Sequence, residues 1–325
     1  MKMSIGNLEL GLCCINTVLR ARKPSVFANR TCRLKTAQDK GINHIKQLVT
    51  QNLRDIILIL EWNDAHGITS YRLSSDMFPH AANPRYGKKR KKGPRYSFKF
   101  AKPLLRDIGI RAHSLNHRLS MHPGQYNQIA SPTESVFENT VLDLSHHARI
   151  LDLIERGRDW GDKRAIICIH GGGVFGDKER TIRRWIRRFK TLPENVRSRI
   201  ALENCEKCYS SEDCLRICEE LNIPHIFDTH HYTCYNLLHP EEKQATPSQL
   251  MPRILATWQR RGLKPYFHIS EQGTGKTGHH SDYIENIPQY MLNIEIPVTM
   301  DVEAKMKEQA ILRLVEKYSD SNIEN

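Results

Sequence analysis

His117-Arg118-Leu119-Ser120-Met121-His122-Pro123-Gly124-Gln125-Tyr126 starts as an alternation of polar and apolar residues and ends in a turn. Successive strand side chains point to opposite faces, so the alternation predicts a strand over His117–Met121. His122 stops it. Pro123-Gly124 turns the chain, and an amide and a phenol follow on a stiff loop. The same arrangement, an apolar run halted by an imidazole or a carboxylate, recurs along the sequence. His122, His170, Glu203, Asp228, His268 and Glu303 each stand at, or just past, the carboxyl end of a different apolar run.

Seven further strands are expected at Leu8–Cys13, Ser70–Leu73, Arg164–Ile169, Arg199–Leu202, His225–Phe227, Pro265–Ile269 and Ile296–Met300. Between them, apolar residues at three- and four-residue spacing predict helices. These cover Thr36–Gln51, Asp55–Trp62, Phe98–Ile108, Glu134–Glu155, Thr181–Lys190, Ser211–Leu221, Pro247–Arg260 and Ala304–Tyr318. The alternation predicts an α/β fold, a single (β/α)8 TIM barrel over residues 1–325 with a basic loop around 84–97. A doubly wound open sheet shares the alternation but would spread the six strand-end residues along a line. A barrel gathers them on one face around one axis.

Composition narrows the function. A net charge of +13 attracts polyanions, with nucleic acid foremost. No apolar run is long enough to span a bilayer. The opening MKMSIGNLELGLCC lacks the pattern of a signal peptide, so a soluble intracellular protein is expected. Nine cysteines, an odd number, read as reduced thiols. Among them Cys205, Cys208, Cys214 and Cys218 are spaced too tightly for a common zinc ribbon and read as packing residues. Gly273–Thr277 (GTGKT) lacks the first glycine of a P-loop, and no G-x-S-x-G elbow accompanies His170-Gly171-Gly172-Gly173. Nucleotide hydrolysis and serine-esterase chemistry are therefore rejected. The arginines of RTIRRWIRRFK read as a solvated helix face on the outer ring.

Adding His231, three residues after Asp228, gives seven candidate ligands at one place. Imidazoles and carboxylates without a thiolate suit Zn²⁺, Mn²⁺ or Fe²⁺. Seven exceed the needs of one tetrahedral ion, so two or three ions are expected. Such clusters hydrolyse phosphodiesters by activating water and holding the phosphate. Any one of these residues alone reads as a hydrogen-bonded core group. All seven together do not, because a core would not tolerate so much unpaired polarity.

LGLCCINTVL, FANRTCR, YRLSSDMFP, HPGQYNQIASP, IHGGG, ALEN, IFDTHH, HIS and MDVEAKMKEQAIL occur in this order. Together they resemble the UV damage endonuclease family over nearly the whole chain, and the HPGQY and EAK blocks are specific to it. The resemblance implies a barrel of the type shared with endonuclease IV and xylose isomerase. It implies a divalent metal cluster of two to three ions, Mn²⁺ with Zn²⁺ as the alternative. The implied partner is double-stranded DNA containing UV lesions. The implied reaction needs no nucleotide cofactor and incises immediately 5′ of cyclobutane pyrimidine dimers and (6-4) photoproducts, leaving a 3′-hydroxyl and a 5′-phosphate.

Carried over residue by residue, the resemblance implies metal ligands at His122, His170, Glu203, Asp228, His231, His268, Glu303 and His280. His279 beside His280 leaves that register open. Glu203, Glu303 and Asp228 would hold and bridge the cations as the catalytic carboxylates. Gln125 and Tyr126 would enter the duplex at the lesion, with Leu12 and Asn16 nearby. Lys88, Lys89, Arg90, Lys91 and Lys92 fall in an insertion relative to the family. They read as a grip on the DNA backbone, a nuclear-import signal or a solvated loop.

Three positions depart from the family. Asn83 replaces a histidine, with His80 close by to substitute. Tyr266 replaces a lysine that can be carboxylated into a metal bridge, and Leu12 stands near an aromatic position. An abasic-site endonuclease, a sugar isomerase or epimerase, and an inactive damage-binding protein remain as alternatives. A monomer without membrane attachment is expected, in a nuclear, organellar or virus-encoded setting.

Overall fold

In the computed structural model, residues 4–83 and 97–320 are described. The basic run Lys88–Lys92 lies outside the described residues. Among the described residues, nine strands form one sheet: β1 (Ser4–Ile5), β2 (Leu8–Cys13), β3 (Ser70–Leu73), β4 (Arg118–Met121), β5 (Ile166–His170), β6 (Ile200–Glu203), β7 (His225–Ile226), β8 (Tyr266–Ile269) and β9 (Val298–Val302). Their order is β7-β6-β5-β4-β3-β2-β9-β8, all parallel, with β1 folded back antiparallel on β2. The circle closes between the two end strands. Asp228 and His268 form a parallel bridge, and the His268 N–H donates to the Phe227 carbonyl at 3.1 Å. Eight parallel strands thus make a nearly closed barrel.

Among the described residues, eleven α-helices occur in sequence: α1 (Thr17–Ala21), α2 (Leu34–Ala65), α3 (Lys102–Ser114), α4 (Glu134–Glu155), α5 (Lys178–Phe189), α6 (Glu194–Arg197), α7 (Ser211–Leu221), α8 (Thr229–Leu238), α9 (Pro247–Gln259), α10 (Gln289–Leu292) and α11 (Glu308–Asp320). Two departures from the expected elements have clear causes. The polar interval around Asn52 does not break α2, because Asn52 and Asp55 face inward and bind the backbone of the preceding loop. Asn52 Oδ1 accepts from the Arg30 N–H at 2.9 Å, and Asp55 Oδ2 accepts from the Phe27 N–H at 3.0 Å. The break falls instead at Gly41, whose φ of 71° only glycine adopts freely. Helix α8 was not expected, since Thr229–Leu238 has no clear apolar stripe. Asp228 starts it as N-cap, accepting the His231 N–H at 2.7 Å.

Side-chain alternation sorts each strand between two environments. On β2, Leu8, Leu10 and Leu12 are buried in the hydrophobic core. Gly11 lies on the other face, and a Cβ there would fall 2.0 Å from Asp301 Oδ1. The barrel interior is tight at that point, and glycine is what allows β2 and the Asp301 carboxylate to approach. Below the strand ends the interior is polar. The Tyr266 hydroxyl donates to Asp301 Oδ2 and lies 2.8 Å from Ser120 Oγ, while Ser70 Oγ donates to Asp301 Oδ1 at 3.2 Å.

Candidate metal centre

Glu203, the last residue of β6, is the hub of the strand-end face. Its side chain is buried, and four imidazoles close on its two oxygens. His122 Nε2 lies 2.9 Å from Oε2 and His170 Nε2 3.5 Å from the same atom. His268 Nδ1 is 2.8 Å from Oε1, and His231 Nδ1 is 3.4 Å from it. The residues come from four strand ends and the first turn of α8, so the convergence is a product of barrel closure.

Asp228 and Glu303 complete the ring. Asp228 Oδ2 lies 3.9 Å from His231 Nδ1 and 4.0 Å from His268 Nδ1. Glu303 Oε1 lies 3.5 Å from His268 Nδ1, and Glu303 Oε2 lies 3.7 Å from His280 Nδ1. His280, and not His279, lines the cleft around the cluster. That cleft has a volume of about 850 Å³.

Charge and desolvation fit a cation site. Burial works against ionisation of Glu203, yet the His268 and His170 imidazoles outweigh it and hold the carboxyl well below its usual range. Burial likewise works against His268, but the Glu203 and Glu303 carboxylates raise it to about 9. His231 is raised well above its ordinary value by Asp228 and Glu203 against the same burial. Asp228 Oδ2 and His268 Nε2 are buried without a hydrogen-bond partner among the described residues. A bound divalent ion satisfies orphaned acceptors of this kind. Among the described residues, three groups that share Glu203 bring candidate ligand atoms within 4.8 Å of one another: His122, His170 and Glu203; Glu203, Asp228 and His231; and Cys168, Glu203 and His268.

Two members of the site were missed in the sequence. Arg72, on β3, pairs with Glu303 inside the cleft. Cys168, on β5, lies with its Sγ 2.9 Å from Glu203 Oε2. Both stand within strands, and an apolar run interrupted by arginine or cysteine carries no ligand pattern. The inward-facing positions two residues before a strand-end ligand, or level with it on the next strand, were the signal available.

Gln125 and Tyr126 line the wall of the same cleft, and the Tyr126 side chain is 65% exposed. Their loop is fastened at its base. Gln128 Nε2 donates to the Gln125 carbonyl at 2.8 Å, and Gln128 Oε1 accepts the Gly173 N–H at 2.7 Å. The Tyr126 hydroxyl reaches Asp143 Oδ2 at 3.4 Å. From α5, Arg184 Nε donates to the Ala130 carbonyl at 2.6 Å and Arg188 pairs with Glu134, so these two arginines brace the loop's far end rather than face solvent.

Other expected residues lie elsewhere. Leu12 is fully buried on the core-facing side of β2 and cannot touch DNA, because alternation turns it toward the helices. Cys14, just past that strand, lines the cleft instead. Asn16 is also buried, and its Oδ1 serves as the N-cap of α1, accepting from the Leu19 N–H at 2.8 Å. His80 does not turn toward the cluster. Its Nε2 lies 2.9 Å from the Cys32 carbonyl, and both His80 and Asn83 line a neighbouring cleft of about 570 Å³. Cys214 and Cys218 are core residues, with thiols 3.5 Å from the Glu203 and Pro224 carbonyls.

The chain is 38% identical over 318 residues to a putative UV-damage endonuclease of Acanthamoeba polyphaga mimivirus, covering 96% of this chain and 92% of the relative. It is 39% identical over 323 residues to a UV-damage endonuclease of Schizosaccharomyces pombe, covering 97% of this chain but 51% of that protein. It therefore spans about half the length of the fission-yeast relative. A UV DNA damage endonuclease of Bacillus velezensis is 32% identical, with 88% and 86% covered. The crystal structure of SacUVDE superposes with a TM-score of 0.82 at 28% identity, covering 97% of this chain and 99% of that one. Residues 8–324 match UV-endonuclease UvdE. A match that runs from β2 through the last helix, joined to a superposition of the whole barrel, makes this chain a member of the UV-endonuclease UvdE family.

Proposed function

We propose that the chain is a metal-dependent DNA repair endonuclease. It incises the backbone immediately 5′ of cyclobutane pyrimidine dimers and (6-4) photoproducts, leaving a 3′-hydroxyl and a 5′-phosphate. The observation that carries this reading is the crowding of four imidazoles onto the two oxygens of Glu203, beside a cleft wall that holds Gln125 and Tyr126. Family membership and the net charge of +13 support the same substrate.

Glu203, Asp228 and Glu303 supply the negative charge for two or three divalent ions, Mn²⁺ foremost, and His122, His170, His231, His268 and His280 supply neutral donors. Ions held by these residues would supply activated water at neutral pH and charge neutralisation at the scissile phosphate. The chain's own work is positional. Asp228 fixes the first turn of α8, and with it His231. Arg72 holds Glu303. The Pro123-Gly124 turn and the Gln128 strap hold Gln125 and Tyr126 outward, where an amide and a phenol can occupy the space left by displaced bases. Glu203→Gln tests the assignment. It abolishes cleavage and depletes bound metal while leaving binding to damaged duplex largely intact. Retained cleavage would overturn it.

A further inference from the structure

The centre has two unlike corners. His122 and His170 border the cleft, with 18% and 22% of their side chains exposed. A second group is fully buried. In it, Cys168, Glu203 and His268 bring a sulfur, an oxygen and a nitrogen within 4.8 Å of one another. Cys168 stands two residues before His170 on β5, so it faces the barrel interior one layer deeper. Its Sγ is 2.9 Å from Glu203 Oε2, the same separation as His122 Nε2 from that oxygen.

A thiol is a weak hydrogen-bond donor and a poor substitute for water at a buried carboxylate. Two nearby buried atoms, His268 Nε2 and Asp228 Oδ2, find no partner among the described residues. A cation held by Cys168, Glu203 and His268 replaces the weak thiol contact, and Asp228 belongs to the neighbouring group with Glu203 and His231. Ligand softness then selects the ion. Thiolate with imidazole and carboxylate suits Zn²⁺, whereas Mn²⁺ favours oxygen donors.

We propose that Cys168 is a metal ligand. The corner formed by Cys168, Glu203 and His268 takes a thiophilic divalent cation of the zinc type. On binding, the thiol proton leaves to solvent and a sulfur lone pair forms the bond to the cation. The inference rests on the reading of this cluster as a metal centre.

Cobalt, a coloured stand-in for zinc, separates the two claims. The full chain carries Cys14→Ser, Cys205→Ser and Cys208→Ser, since all three thiols line the cleft. It is stripped of metal and titrated with Co²⁺. The expected result is a sulfur-to-cobalt charge-transfer absorption in the near ultraviolet that saturates with a single ion. Adding Cys168→Ser removes that band while the visible cobalt absorption persists. Cobalt bound without a Cys168-dependent band overturns the proposal and leaves the metal centre standing. No cobalt bound overturns both. Zinc K-edge absorption on the protein that keeps Cys168 decides the matter even if Cys168→Ser misfolds. A sulfur shell at about 2.3 Å is expected, and a first shell of nitrogen and oxygen alone overturns the assignment.

Discussion

Arg72 Nη1 donates to Oε1 of Glu303 across the barrel mouth, placing a fixed guanidinium among residues that otherwise present imidazoles and carboxylates. The pair is largely buried, at 13% and 11% side-chain exposure. Removing one partner of a buried pair leaves an uncompensated charge. Arg72→Met therefore destabilises the metal-free protein by about 3 kcal/mol. Added Mn²⁺ recovers most of that loss, because the cation replaces the guanidinium beside Glu303. Denaturant unfolding with and without Mn²⁺ measures both. An equal deficit in the two conditions would show that no ion reaches Glu303.

Gln128 ties the Gln125 carbonyl to the Gly173 amide. Gln128→Ala loosens the loop that presents Gln125 and Tyr126, at a stability cost of about 1 kcal/mol. The expected effect is on discrimination. The affinity ratio between damaged and undamaged duplex falls, while metal content stays unchanged. An unaltered ratio would mean that the loop needs no strap.

Tyr266 closes a buried network, with its hydroxyl on Asp301 and Ser120. Tyr266→Phe withdraws a donor from a buried carboxylate and lowers stability by roughly 1–3 kcal/mol. Metal stoichiometry should not change, since the phenol serves the layer beneath the ligands. Elemental analysis of the variant checks this, and a lost ion would make Tyr266 part of the metal shell.

Acid sensitivity follows from two buried histidines, His117 and His225, and a half-buried one, His146, that packs against Phe78 and Phe98. Burial lowers His117 and His225 to about 4 and His146 to about 3, against an ordinary 6.5. The unfolded chain takes up these protons first. The stability they allow is complete above pH 6.5 and is lost as pH falls through about 4. In the metal-free protein His268 acts in a separate window. Raised to about 9, it contributes below 6.5, and its contribution is lost as pH rises through 9. Unfolding free energy measured from pH 8 to pH 4 should fall on the acid side with a slope approaching three protons. A flat profile between pH 6.5 and 4 would contradict the burial argument.

The strand-end residues were legible because parallel strands in a barrel deliver their carboxyl ends to one rim, so an apolar run ending in His, Asp or Glu already states a position. Alternation within a strand was the harder signal. Leu12 was expected at the lesion, yet it shares the core-facing side of β2 with Leu8 and Leu10, and Cys14 is the residue that reaches the cleft. Arg72 and Cys168 lie inside strands, where sequence alone gives no reason to separate them from core positions. Helix α8 escaped notice because its start depends on Asp228 as a cap more than on an apolar stripe. Asn83 looked like a depleted ligand from its place in FPHAANP, and only the folded loop shows it lining a neighbouring cleft.

The most direct test is cleavage of an end-labelled duplex carrying one (6-4) photoproduct, with Mn²⁺ and with EDTA, beside the undamaged duplex. The account predicts a single metal-dependent nick directly 5′ of the lesion and none on the control. Intact damaged strand in the presence of metal, with the protein still bound to it, would contradict the endonuclease reading and leave a damage-binding protein.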